Sequence, residues 1–159
     1  MLGVERRFRV RSTLAAPKHP ARLDPGKMKK MSPNEAPTIA ILVVEDELLV
    51  RMFAVDALED AGFRVLQAGT AVEALQALQG SPDVRAALVD IGLPDRPGDQ
   101  LAAEIHALRA DLPIVIVSGR SGRELRDRFV GNQRVTVLVK PYTASLLLDA
   151  LAAVGVTPG

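Results

Sequence analysis

The sequence predicts an α/β protein: a doubly wound, open sheet of five parallel strands in the order 2-1-3-4-5, with helices on both faces. Three observations predict it. Beyond residue 37, short apolar runs rich in Val and Ile alternate five times with segments of helical period. Most of these runs are continuous rather than alternating in polarity, as strands covered on both faces must be. The connections are short, and successive strand–helix–strand units of this kind close into a parallel sheet through right-handed crossovers. Five units are too few for an eight-fold barrel.

The elements follow in order. IAILVV (residues 39–44) is the first strand, and a helix over 48–61 stops at Gly62, a helix-ending residue. FRVLQA (63–68) is a shorter strand of alternating character. Thr70 caps a helix over 71–79, which Gly80-Ser81-Pro82 ends. VRAALVD (84–90) is the third strand, followed by IGLPDRPGD, a loop dense in Pro and Gly. A helix over 101–109, the strand LPIVIVS (112–118) and a charged helix over 123–130 come next. RVTVLV (134–139) is the fifth strand, and the last helix runs over 143–154 before Gly155.

Composition narrows the function classes. The 159 residues are 48% hydrophobic and 25% charged, ordinary values for a globular domain with a real core. Only 3% are aromatic, so the core is built from Leu, Val, Ile and Ala. The absence of Cys excludes a disulfide scaffold, thiolate zinc sites and cysteine nucleophiles, and fits a cytoplasmic location. No apolar run approaches the roughly 18 residues of a membrane span, so no membrane partner is expected.

Charge divides the chain. Residues 1–37 carry nine Lys/Arg against three acids, whereas residues 38–159 carry eleven against sixteen. The first segment is rich in proline, lacks a sustained apolar period and reads as a disordered basic leader. Met28 and Met31 offer alternative starts, which would make the upstream part an over-extended reading frame. Phe8 is the leader's only aromatic residue, so a nucleic-acid platform is not expected. The domain is expected over 38–155, with a tail over 156–159.

Function should collect where the strands end, at the switch point between the first and third. The first strand ends in Glu45-Asp46, the third in Asp90, the fourth in Ser118 and the fifth in Lys140-Pro141. Three carboxylates at close range require raised pKa values or a cation. Hard carboxylate oxygens suit Mg²⁺. The acidic loop after the first strand argues against a nucleotide phosphate held there directly. Asp90 is then a candidate nucleophile for an acyl phosphate, with Ser118 and Lys140 to meet phosphoryl oxygens. Glu47 reads as a favourable charge in the first turn of the following helix.

Together VVEDE, LVDIGLPDRPG, VIVSG and LVKPY, each at the end of its strand and in this order, resemble the receiver domain of bacterial two-component response regulators. The resemblance covers residues 39–154 and implies a flavodoxin-like fold. It implies that Glu45, Asp46, Asp90 and the backbone carbonyl of Gly92 hold Mg²⁺. It makes Asp90 the phosphoacceptor, Ser118 the switch hydroxyl and Lys140 the phosphate-binding lysine. Pro94 and Gly98 match the loop after the phosphorylation site, and Pro141 matches a proline that is usually cis. The chain departs from the pattern at Val137, which replaces an aromatic switch residue; Tyr142 is not its equivalent. Gly92 and Arg120 occupy two positions that tune dephosphorylation, and imply a long-lived phosphoryl state.

The resemblance further implies phosphorylation by a histidine kinase or histidine phosphotransfer protein. With about five residues after the last helix, a single-domain regulator is expected, catalysing only its own phosphorylation and dephosphorylation. Its output would be binding to a downstream protein through the surface of the fourth helix, fifth strand and fifth helix, which includes Ser118, Val137 and Tyr142. The same face could make a homodimer. The alternatives are a phosphorylation-independent pseudo-receiver and a Mg-dependent phosphohydrolase; the latter would want Asp-x-Asp after the first strand, where this chain has Glu45-Asp46-Glu47.

Overall fold

A computed structural model describes residues 38–119 and 122–159. The leader and Arg120, with the expectations attached to them, lie outside the described residues. Ten elements alternate strictly: β1 (Ala40–Val44), α1 (Leu48–Asp60), β2 (Arg64–Ala68), α2 (Ala71–Gln79), β3 (Val84–Asp90), α3 (Gly98–Leu108), β4 (Ile114–Ser118), α4 (Arg123–Arg128), β5 (Val135–Val139) and α5 (Ala144–Ala153). The strands form one parallel sheet in the order β2-β1-β3-β4-β5. The predicted fold class and strand order are both present.

Side-chain alternation along the strands builds two apolar layers. Ala40, Leu42 and Val44 of β1 face one layer, with Ala71, Ala74 and Leu78 of α2 and Leu101, Ala102 and Ile105 of α3. Ile41 and Val43 face the other, with Ala54 and Leu58 of α1 and Leu147 and Leu151 of α5. Each fully buried Leu or Ile contributes about 1.5–3 kcal/mol relative to exposure. The alanines let α2 and α3 lie close to the sheet. Leu125 and Phe129 pack partly against the first layer and put α4 on that face. No residue of α4 is fully buried.

The register slips once. Ala40 pairs with Val84 but Ile41 pairs with Ala86, which leaves Arg85 as an inserted residue of β3. Val84 and Ala87 face one layer and Ala86 the other, so the bulge frees the Arg85 side chain, which is exposed.

Three boundaries differ from the sequence reading by two residues or more. Strand β4 begins at Ile114 rather than residue 112, because Pro113 has a carbonyl for Ala87 (3.0 Å) but no N–H to donate. Helix α4 stops at Arg128, short of the exposed Val130. Helix α3 begins at Gly98, three residues earlier than expected, with Pro97 in extended conformation before it. There the Pro-Gly pair serves close packing. The Gly98 N–H donates to the Ile91 carbonyl at 2.9 Å. A Cβ at Gly98 would collide with the Asp90 carbonyl oxygen and stand 2.8 Å from its carbon.

The start of α2 is capped from two directions. Thr70 accepts from Glu73 N through its side chain (3.2 Å) and from Ala74 N through its carbonyl (3.1 Å). The two remaining amides, Ala71 N and Val72 N, donate to the Asp95 carboxylate at 2.9 and 3.0 Å. The loop after β3 is thereby tied to α2. These bonds, that from Ala71 foremost, hold the Asp95 carboxyl below its ordinary pKa.

Replacing Gly98 with Ala forces the helix off the Asp90 backbone and is expected to cost about 1–3 kcal/mol, read as a lowered urea midpoint. Asp95→Ala is expected to lower the midpoint at neutral pH. Because the folded pKa is depressed, this contribution is present above the unfolded carboxyl value and lost as pH falls through the folded one. Wild type and Asp95→Ala should therefore converge in acid urea titrations.

Candidate functional site

Placing β1 beside β3 brings their carboxyl ends to one edge of the sheet. Glu45, Asp90 and Ser118 are nearly sealed from solvent, at 4, 5 and 2% exposure. Asp46 is exposed. Carboxylate oxygens of Glu45, Asp46 and Asp90 lie within 4.8 Å of one another. Unit like charges about 4 Å apart repel by roughly 4 kcal/mol at an effective dielectric of about 20, so the cluster requires positive charge.

Lys140 supplies one such charge. Its Nζ lies 2.8 Å from Glu45 Oε2 and 3.4 Å from Asp90 Oδ1. The Lys140 N–H bonds the Ser118 carbonyl at 2.8 Å, and the following Pro141 peptide is cis. Burial works against the ammonium charge, but the bond to Glu45 and the nearby carboxylates outweigh it and hold the Lys140 pKa above its usual value. Burial raises the Glu45 pKa despite the bonds from Lys140 and the Glu47 N–H. One ammonium facing three carboxylates leaves the site electronegative and rich in hard oxygen donors, a set that fits a divalent metal ion.

The backbone around the cluster is held locally. Glu45 N continues the sheet by donating to Ala68 O at 3.0 Å, and Ile91 N donates to Val117 O at 2.9 Å. Arg51 reaches back from α1 to the Glu45 carbonyl at 2.7 Å. Glu47 is the residue before α1 and makes no side-chain cap, which corrects the expectation of a first-turn charge. Its N–H is taken by Glu45 Oε1 at 3.1 Å, and its side chain borders the crevice instead.

The crevice above the cluster has a volume of about 580 Å³. Asp46, Asp90, Gly92, Ser118 and Lys140 line it, so these five of the residues selected from the sequence meet there. A Cβ at Gly92 would stand 3.8 Å from Asp90 Oδ2, an ordinary contact, so Asp90 is not crowded on that side. Asp99 of α3 and Arg128 of α4 also border the crevice and form an ion pair across it. Val137 and Tyr142, both assigned to the expected partner surface, separate. Val137 packs under the start of α4, where a Cβ on Gly122 would meet its Cγ1 at 3.0 Å. Tyr142 packs on the opposite face of the sheet, with its ring 5.8 Å from that of Phe53 in α1. Burial pushes the Tyr142 hydroxyl up to about 12.

Sequence reasoning missed Arg51, the Lys140–Glu45 contact and the Asp99–Arg128 pair. None has a signal in local sequence, since each joins residues distant in the chain or on different elements.

Removing the ammonium with Lys140→Met leaves burial of Glu45 less opposed. The Glu45 carboxyl pKa is expected to rise further, read by NMR titration of labelled carboxyl carbons. A raised carboxyl pKa means the folded state keeps its proton longer than the unfolded chain does. Stability therefore falls as pH climbs from the unfolded to the folded value, over a wider window in the variant.

Comparison with known proteins places this geometry. The chain matches the response regulator receiver domain family over residues 41–152. It is 33% identical over 113 residues to the transcriptional regulatory protein PdtaR of Mycobacterium tuberculosis, covering 70% of this chain and 54% of that one. Nodulation protein W of Bradyrhizobium diazoefficiens is 34% identical over 122 residues, covering 76% and 53%. The chain thus spans about half the length of these curated relatives. The sensor kinase CckA of Brucella abortus shares 30% identity, over 67% of this chain and 11% of the kinase. Among solved structures, a receiver protein from Sinorhizobium medicae superposes with a TM-score of 0.66 at 26% identity, covering 74% of this chain and 94% of that one. A CheY-like receiver domain from Methanospirillum hungatei gives 0.64 at 30%, covering 73% and 92%.

Proposed function

The chain belongs to the response regulator receiver family, and from that premise we propose that Asp90 accepts a phosphoryl group from a phosphohistidine of a histidine kinase or histidine phosphotransfer protein. The observation that carries this reading is the convergence, on one buried carboxylate, of two further carboxylates and an ammonium delivered by separate strands. Residue roles follow from that geometry. An Asp90 oxygen attacks phosphorus, the P–N bond to the donor imidazole breaks, and a P–O bond forms in line. Lys140, already 3.4 Å from Asp90 Oδ1, moves from Glu45 to an incoming phosphoryl oxygen. Ser118 offers its hydroxyl to a second phosphoryl oxygen. Glu45, Asp46, Asp90 and the Gly92 carbonyl are the residues for Mg²⁺, which supplies charge neutralisation for the transferring group.

We further propose that the output is protein binding through the face of α4, β5 and α5, and that any homodimer uses that face. Phosphorylation would act through Ser118 and the Val137–Gly122 contact beneath α4 rather than through an aromatic swing. We place the protein in the cytoplasm, acting on its own Asp90 and on no external substrate. Among the described residues no helix is long and apolar enough to cross a membrane.

Incubation with a small acyl-phosphate donor and Mg²⁺ should add the mass of one phosphoryl group to the intact protein. Asp90→Asn or EDTA should abolish the gain. An unlabelled protein would instead be a phosphorylation-independent binding module, and sustained donor turnover without stable label would be a phosphohydrolase. A slow loss of label is expected, since Gly92 has no side chain to position an attacking water.

A further inference from the structure

We propose that the end of the sheet opposite the phosphoacceptor crevice is a second binding site, for an organic phosphate. A cavity of about 690 Å³ opens there, larger than the crevice itself. Three arginines from separate parts of the chain line it: Arg85 of β3, Arg109 at the end of α3 and Arg134 just before β5. Asp111 is the one carboxylate on its wall, and it pairs with none of the three. Neither Arg85 nor Arg134 has a side-chain ion pair or hydrogen bond among the described residues.

Two details distinguish this from a scatter of solvated arginines. The first is the bulge: an extra residue inserted where β3 begins turns a cationic side chain out of the apolar layers, at a local break in the ladder. The second is Arg109. Its Nη2 donates to the Val84 carbonyl at 2.6 Å, immediately before the bulge. Its Nη1 is buried, with no acceptor among the described residues. A buried guanidinium donor without an acceptor is costly, so a side-chain turn that brought it to an oxyanion in the cavity Arg109 lines would be favourable. Planar guanidiniums match phosphate geometry through paired N–H donors. The lining also includes apolar Leu112, Pro113, Val154 and Val156, which suit the non-phosphate part of a small organic ligand. A mononucleotide has this division of character.

ADP and inorganic pyrophosphate are the probes, titrated into the protein in EDTA so that the electronegative crevice attracts neither. ADP is expected to bind saturably, with amide NMR shifts confined to residues 84–86, 109–113 and 134. Arg85→Gln with Arg134→Gln should weaken binding by roughly tenfold or more, as loss of charge-assisted bonds predicts, while the melting midpoint stays unchanged. Asp90→Asn should bind ADP as wild type does, which separates this site from the phosphoacceptor reading. No saturable binding of ADP, or binding indifferent to the arginine substitutions, overturns the proposal. Pyrophosphate as tight as ADP overturns its organic half.

Discussion

The crowding of three carboxylates at the ends of two neighbouring strands is the constraint around which the rest of the molecule is arranged. In a parallel sheet with β1 beside β3, residues that follow each strand have no choice but to meet at the same edge. Lys140 must therefore project from the far strand β5 past Ser118 of β4 to reach Glu45 and Asp90. Arg51 must turn back from α1 to hold the Glu45 carbonyl. Glu45 itself folds onto the Glu47 N–H rather than leaving for solvent. The energy to hold this arrangement comes from the largely apolar strands beneath it, whose burial leaves the strand ends little freedom.

The two edges of the sheet carry opposite electrostatic character. At the carboxyl edge, anionic groups outnumber their cation; at the amino edge, arginines outnumber their acid. The chain reaches these opposite balances by different means. The first is a consequence of strand adjacency alone. The second depends on a single inserted residue in β3 and on a helix end that stops beside it.

Much of the fold was legible because both kinds of element announce themselves locally. The unbroken apolar run of β1 and the hydroxyl cap Thr70 depend only on near neighbours, and both were read correctly, whereas Thr143, read as helical, is the cap of α5. The Asp90 cluster was legible because the topology turns strand ends into spatial neighbours. What escaped were relations between distant positions. Asp95 caps a helix 24 residues earlier in the chain. The Arg85 bulge hides inside VRAALVD because small alanines satisfy either face. Gly98 was read as a loop residue because composition does not distinguish a glycine that belongs to a turn from one that opens a helix and lets two backbones touch. Glu47 was assigned to the helix although its amide was already claimed by Glu45.

Helix α4 differs in kind from the other four. It spans six residues, buries none of them fully, and joins α3 through the ion pair between Arg128 and Asp99 at the rim of the crevice. Its residues can therefore change with little penalty to the core, whereas changes in α2 or α3 reach the apolar layer at once. Sequence drift is cheap at this one place beside Asp90. A lineage of such proteins can reshape the surface beside Asp90 by rewriting α4 while the carboxylate cluster stays as it is.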